Sequence, residues 1–474
     1  MFQPAHQAFD TAAPAQEAPL AEILGAFSYA LDLTEGQPAG HSVRAAWIGT
    51  YVGLAAGLQG GELADCLYAV LLKDLGCSSN AARVADLFLG DDRSLKQGFK
   101  LIGPDTADFL AFVEAEVGAK EEAAARREAR DHLLANAAPI LTGFIETRCT
   151  QGATIAKRLR FSDRVAGAIA ALDEHWDGGG MPRGLSGTQI PLLSRIALLA
   201  QVADVFFMAG GPDRAVAEVQ ARSGTWLDPE LAAIFAELAA DPGFWAELSA
   251  PGIDDRLFAL APAQARIMVD EDYLDDIAIA FGQVIDAKSP YTGGHSERVA
   301  WLTDRVGAKL RIAAPERRRL VRAAMLHDIG KLGISNRILD KPGRLTPVEW
   351  AVMQGHAQIT ADILSRISVM RDMALIAGSH HERLDGTGYP LGLDETSISM
   401  ETRIISVADF FDALTADRPY RAAMPVEQAL SIMACEVGDA IDGDCYDALE
   451  EIVAEGLPEA PLPAMPRALA GDQP

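Results

Sequence analysis

A fragment near the start of the chain returns far downstream, and this internal repeat limits the possible folds more than any other feature. His41-Ser-Val-Arg-Ala-Ala-Trp47 matches His295-Ser-Glu-Arg-Val-Ala-Trp301 at an offset of 254 residues. The same offset lays Leu71-Leu-Lys73-Asp74-Leu-Gly76 on Met325-Leu-His327-Asp328-Ile-Gly330. Further on, Glu174-His175 aligns with His380-His381, and Asp177 to Pro182 aligns with Asp385 to Pro390, with a small gap between. Arg195 to Asp204 then aligns with Arg403 to Asp409, again with a small gap. Asp74 to His175 spans 101 residues against 53 from Asp328 to His381, so the first copy carries an insertion of 48 residues near 90–138.

Both copies read as helical, with no alternating strand pattern of useful length. Val299, Leu302, Val306 and Leu310 follow helical spacing, and Pro315 opens the next helix where a missing N–H costs little. His327 shares the inward stripe of that helix with Leu320 and Ala324, and Gly330 and Gly333 end it. Thr346-Pro347 starts a helix carrying His356, and Asp385 to Pro390 forms a loop.

The second copy holds the chemistry. Five of the nine histidines lie after residue 270, at His295, His327, His356, His380 and His381, with Asp328 and Asp409 among them. Neutral imidazoles with carboxylates suit divalent first-row metals, and this set supplies more ligands than one ion needs. The richness in imidazole favours iron or manganese over magnesium.

The residues between these ligands carry a family resemblance. Met325 to Ile334, Lys341-Pro-Gly343, His380 to Pro390, Val407 to Thr415 and Asp417-Arg-Pro-Tyr-Arg421 stand in an order that resembles the HD-GYP branch of the HD phosphohydrolases, over roughly residues 275–450. That family hydrolyses cyclic di-GMP. The resemblance implies one metal at His295, His327, Asp328 and Asp409, and a second at His356, His380 and His381 with Asp328 bridging. It implies catalytic roles for Asp328 and Lys331, and substrate contacts at Lys331, Tyr389, Asp412, Arg418 and Arg421. Asp412 could equally orient a ligand. Tyr291 stands where some members place a glutamate for a third metal, so two are expected.

The expected protein is thus all-α, with two tandem HD-type helical domains, the first degenerate. Its expected parts are a disordered tail at 1–19, the degenerate domain at 20–240, a linker at 241–270, the catalytic domain at 271–460 and a second tail at 461–474. Its expected activity is metal-dependent hydrolysis of cyclic di-GMP to the linear dinucleotide and onward to GMP. The alternatives are another HD-type nucleotide phosphohydrolase or a cyclic-dinucleotide sensor with slow turnover. In the first copy Lys73 replaces a histidine, Glu174 the first of the paired histidines and Met181 the tyrosine, while the place of His356 falls near Thr150. His41, Asp74, His175 and Asp204 remain, with the Lys73 ammonium expected to pair with Asp74 and Asp204 in place of a metal.

A formal charge of −26 argues against a nucleic-acid polymer as partner and repels an anionic dinucleotide, so local cations such as Lys331, Arg418 and Arg421 must overcome the field. The five cysteines (Cys66, Cys77, Cys149, Cys435, Cys445) form no Cys-x-x-Cys pair, which suits a reduced, cytoplasmic protein. No membrane span is expected. The first domain is the expected contact for a homodimer or regulatory partner.

Overall fold

A computed structural model describes residues 18–103 and 106–457. It is all-α: among the described residues the named strands are one two-residue pair, Ala18–Pro19 antiparallel to Met268–Val269. The expected tails lie outside the described residues except for Ala18 and Pro19, where the pairing and the burial of Ala18 replace disorder with order.

Among the helices of the described residues, two sets of seven frame the two halves. Leu20–Thr34, His41–Ala55, Gly60–Leu71, Ala137–Arg158, Asp163–Ala170, Leu192–Arg222 and Pro229–Ala239 make the first. Glu271–Asp286, His295–Lys309, Ala314–Leu326, Pro347–Leu364, Arg371–Gly378, Met400–Thr415 and Gly443–Glu455 make the second. One apolar core runs through both halves from Ala18 to Ile452, and Phe27 stacks on Phe281 across it with ring centroids 4.0 Å apart. Leu192–Arg222 is long and apolar enough to cross a membrane, but 72 % of its apolar window is buried inside the protein, and Gly210 and Gly211 interrupt its helical geometry.

Residues 241–270 do not form a plain connection. Pro242 opens the helix Pro242–Ser249 rather than breaking one, with Asp241 accepting from the Gly243 N–H. Phe244 and Trp245 are buried, and Phe244 packs 4.7 Å from Trp47. Such an aromatic contributes about 2–3 kcal/mol by burial, enough to fix the segment against the first half.

The insertion and its flanking residues form a small separate core from Val84, Phe88, Leu95, Val113, Val117, Leu133, Ile140 and Phe144. It also grips the second half. Asp92, fully buried, accepts from the Asn336 N–H at 2.8 Å and from Lys288 Nζ at 3.1 Å, and Arg93 donates to the Gly333 carbonyl at 2.6 Å. The turn that follows His327 and Asp328 is therefore held by residues of the insertion.

Candidate metal centre

Each ligand is placed by a local device. Gly294, at φ +70°, turns the chain so that His295 begins its helix. His327 and Asp328 leave the end of Ala314–Leu326 and run into a short 3-10 turn, Ile329–Gly333. A Cβ at Gly330 would fall on the His356 carbonyl oxygen, so glycine there lets Pro347–Leu364 cross close enough to bring His356 over Asp328. Thr346 and Glu349 start that helix with a reciprocal capping box. His380 and His381 follow Arg371–Gly378, and Asp409 and Asp412 share one face of Met400–Thr415.

These residues converge. His295 Nε2 and His327 Nε2 each lie 3.4 Å from Asp328 Oδ2, and 3.4 and 3.7 Å from Asp409 Oδ1. On the other side, His356 Nε2 and His380 Nε2 lie 3.4 and 3.7 Å from Asp328 Oδ1. Donor atoms of His356, His380 and His381 fall within 4.8 Å of one another. Asp328 thus turns one oxygen toward each cluster.

In four of the five histidines the other ring nitrogen is fixed. His327, His356 and His380 direct Nδ1 to the carbonyls of Ala324, Met353 and Ala377 at 2.6–2.7 Å, and His295 Nδ1 meets Asp412 Oδ2 at 2.7 Å. Such contacts leave the Nε2 lone pairs for a metal and set the ring orientation. Burial lowers His356 to about 4 and His381 to about 3, keeping both neutral. Burial opposes ionisation of Asp328 and Asp409, yet Lys331 and His327 hold Asp328, and His327 with His295 holds Asp409, well below the usual carboxylate range. For His295 burial is outweighed by hydrogen bonds to Asp328 and Asp412, which raise it to about 9. Asp328 Oδ1, His356 Nε2 and His380 Nε2 are buried with no hydrogen-bond partner. Buried polar atoms without partners are costly, and a metal would satisfy all three. The donor set fits divalent metal.

The substrate-side residues separate. Lys331 Nζ meets Asp328 Oδ2 at 2.5 Å and stays partly exposed. Tyr389 lies 4.8 Å from His381, ring to ring. Asp412 is a correction to the expected substrate contact: it is buried, with both oxygens engaged by His295 and Arg298. The Arg421 guanidinium is also committed elsewhere, donating to the Ala413 and Leu414 carbonyls at the end of its neighbouring helix. Arg418 forms a backbone bridge with Arg421. Glu382 was overlooked in the sequence, although it directly follows the paired histidines. Its carboxylate accepts from the Leu391 and Leu393 N–H groups at 2.6 and 2.8 Å and fastens the Tyr389 loop.

The comparisons with known proteins agree on the family. A family model described as HD domain matches residues 139–231 and 280–445. The chain belongs to the HD-GYP family. It is 48 % identical to the 3'3'-cGAMP-specific phosphodiesterase 3 of Vibrio cholerae over 91 % of this chain and 94 % of that protein. A cyclic di-GMP phosphodiesterase of Thermotoga maritima is 40 % identical over 37 % of this chain and 48 % of its own length. Among solved structures, a cyclic GMP-AMP specific phosphodiesterase of V. cholerae aligns with a TM-score of 0.64 at 44 % identity, over 94 % of this chain and 99 % of that one.

The first half of this HD-GYP protein repeats the scaffold around different side chains. His41 Nδ1 meets Asp204 Oδ2 at 2.7 Å and Arg44 grips the same carboxylate, as His295 and Arg298 hold Asp412. Glu174 accepts from the N–H groups of Arg183 and Leu185 as Glu382 does from Leu391 and Leu393. A Cβ at Gly76 would meet the Arg148 carbonyl as one at Gly330 would meet that of His356. These contacts correct the register: Asp204 corresponds to Asp412 rather than Asp409, Glu174 to Glu382 rather than His380, and Arg148 rather than Thr150 to His356. By the same register Gln201 stands for Asp409, Leu172 for His380 and Asp173 for His381. Lys73 pairs with Asp74 as expected, but its second contact is His41 Nε2 at 3.0 Å, not Asp204. Arg148 pairs with Asp173 beside it.

Proposed function

We propose that this protein is a metal-dependent phosphodiesterase that opens a cyclic dinucleotide at the centre built on Asp328. The observation that carries this reading is the pair of donor clusters sharing one carboxylate, with partnerless Asp328 Oδ1, His356 Nε2 and His380 Nε2 facing inward. His295, His327, Asp328 and Asp409 would hold one ion, and His356, His380, His381 and Asp328 the other; iron or manganese suits these donors. Bound there, a metal pair supplies a hydroxide nucleophile near neutral pH and offsets charge on the phosphorus oxygens. The chain itself fixes His295, His327, His356 and His380 through their Nδ1 contacts. Lys331 brings an ammonium to the mouth of the centre, where it can offset charge on a phosphoryl oxygen. Tyr389 walls the side next to His381.

The relative matching along nearly the whole chain is named for 3'3'-cGAMP, whereas the cyclic di-GMP relative from T. maritima matches little more than a third of it. We therefore place 3'3'-cGAMP first and cyclic di-GMP second. The first half, about 20–240, is a degenerate copy in which Lys73 and the Arg148–Asp173 pair supply the charge balance that ions supply in the domain at about 271–460. It is a structural or regulatory module, and the surface through which a partner or second copy would act. Side-by-side hydrolysis assays of metal-loaded protein on 3'3'-cGAMP, cyclic di-GMP and ordinary nucleotides test the reading. Turnover of mononucleotides alone would overturn it.

A further inference from the structure

Tyr389 does not close the aromatic wall beside the metal ligands. Its ring lies 4.8 Å from His381 and 6.3 Å from His356, and Trp350 approaches it edge-on at 6.0 Å and 81°. Trp350 sits in the first turn of Pro347–Leu364, on the same helix as His356. It is 46 % exposed, beside Val348 at 76 %, while Leu391 of the neighbouring loop is 55 % exposed. An indole left in water at the rim of a buried polar centre is available to a ligand in a way that the core tryptophans are not.

We propose that Trp350 is the stacking platform for one nucleobase of the substrate. This inference rests on the cyclic dinucleotide reading above. A cyclic dinucleotide carries a base on each sugar flanking the scissile phosphodiester, so with phosphorus at the histidine cluster one base must extend toward the rim. The contacts His381, Tyr389 and Trp350 lead outward along such a path. Stacking on an aromatic face tolerates any base, so Trp350 supplies affinity for a nucleotide rather than the choice between guanine and adenine. The Tyr389 ring at right angles to the indole forms the corner against which the base is set.

The test uses the full-length, metal-loaded protein and its Trp350→Ala and Trp350→Phe variants, assayed on 3'3'-cGAMP and cyclic di-GMP. Methyl p-nitrophenyl phosphate serves as a phosphodiester without a nucleobase, and metal content is measured throughout. Trp350→Ala is expected to raise KM for the dinucleotide roughly tenfold, with the loss falling on KM rather than kcat, and Trp350→Phe to restore most of it. The effect on the base-free ester is expected to be several times smaller. An unchanged KM, or an equal loss on the ester, would overturn the role of Trp350 while leaving the substrate reading intact. Wild-type protein that cleaves the ester but neither dinucleotide would overturn the substrate reading and this inference with it.

Discussion

The two halves place the same scaffold around opposite chemistry. Around Asp328, histidine nitrogens converge and several buried atoms lack partners. Around Asp74, the Lys73 ammonium lies against the carboxylate and His41 Nε2, and Lys100 Nζ stands 3.6 Å from the other oxygen. A buried carboxylate requires a cation, and a metal is only one way to provide it. On the proposed reading, the covalently attached ammonium fills the same electrostatic need without an open coordination position for hydrolysis. The orienting contacts survive in both halves, His41 to Asp204 and His295 to Asp412, because they support the helices whether or not an ion is present.

The largest expected effect separates the halves by activity. Asp328→Ala should reduce hydrolysis at least about a thousandfold, while Asp74→Asn should leave turnover within about threefold. Steady-state kinetics on the preferred dinucleotide checks both, and residual full activity in Asp328→Ala would end the distinction. Next in size is a stability effect in the other direction. Lys73→Ala leaves Asp74 with Lys100 and the Cys77 thiol but no cation on Oδ2, and should cost about 3–5 kcal/mol in denaturant unfolding. No loss in that experiment would mean that Lys73 does not stand in for a metal.

A smaller effect should appear with pH. Burial first, and the Lys73 charge second, lower His41 to about 4, so it must be neutral in the folded protein. Its folded value lies below the unfolded one near ~6.5. The unfolded chain therefore binds the extra proton, and stability present above that value is lost as pH falls toward 4. The loss should be on the order of 3 kcal/mol from His41. Burial lowers His175 to about 4 as well, so His41→Gln should flatten the dependence of unfolding on pH without abolishing it. Identical slopes in variant and wild type would contradict the assignment. The smallest expected change is none. Metal analysis should find about two ions per chain, and Lys73→His should not add a third, because Arg148, Leu172, Asp173 and Gln201 still occupy the other ligand positions. An added ion would show that the first half is one substitution from a working centre.

Much of this was legible before any coordinates. Metal ligands must be particular residue types, so His295, His327, Asp328, His356, His380, His381 and Asp409 stood out by chemistry alone, and the structure brings all seven together. Helix starts announced themselves too: Thr346-Pro347 read as the start of the helix carrying His356, and the structure caps it there with a Thr346–Glu349 box. Local rules also misled. Residues 241–270 read as a linker, yet Pro242 begins a helix, because proline is tolerated in a first turn and packing of the buried Phe244 and Trp245 decides the rest.

The sequence by itself determined the helical class, the presence of two related halves and the residue types able to hold metal. Only the tertiary structure decided which positions correspond. Val202-Ala-Asp204 resembles Val407-Ala-Asp409 in letters, but Asp409 and Asp412 lie about one turn apart on the same helical face, so a slip of one turn preserves the pattern. The hydrogen bond from His41 settles it, because a contact 163 residues away in sequence fixes the register that local periodicity leaves open. The same physics redirected Arg421 and Asp412. Their chemistry suits phosphate or metal-site roles alike, and what each does depends on which partner the fold places within reach.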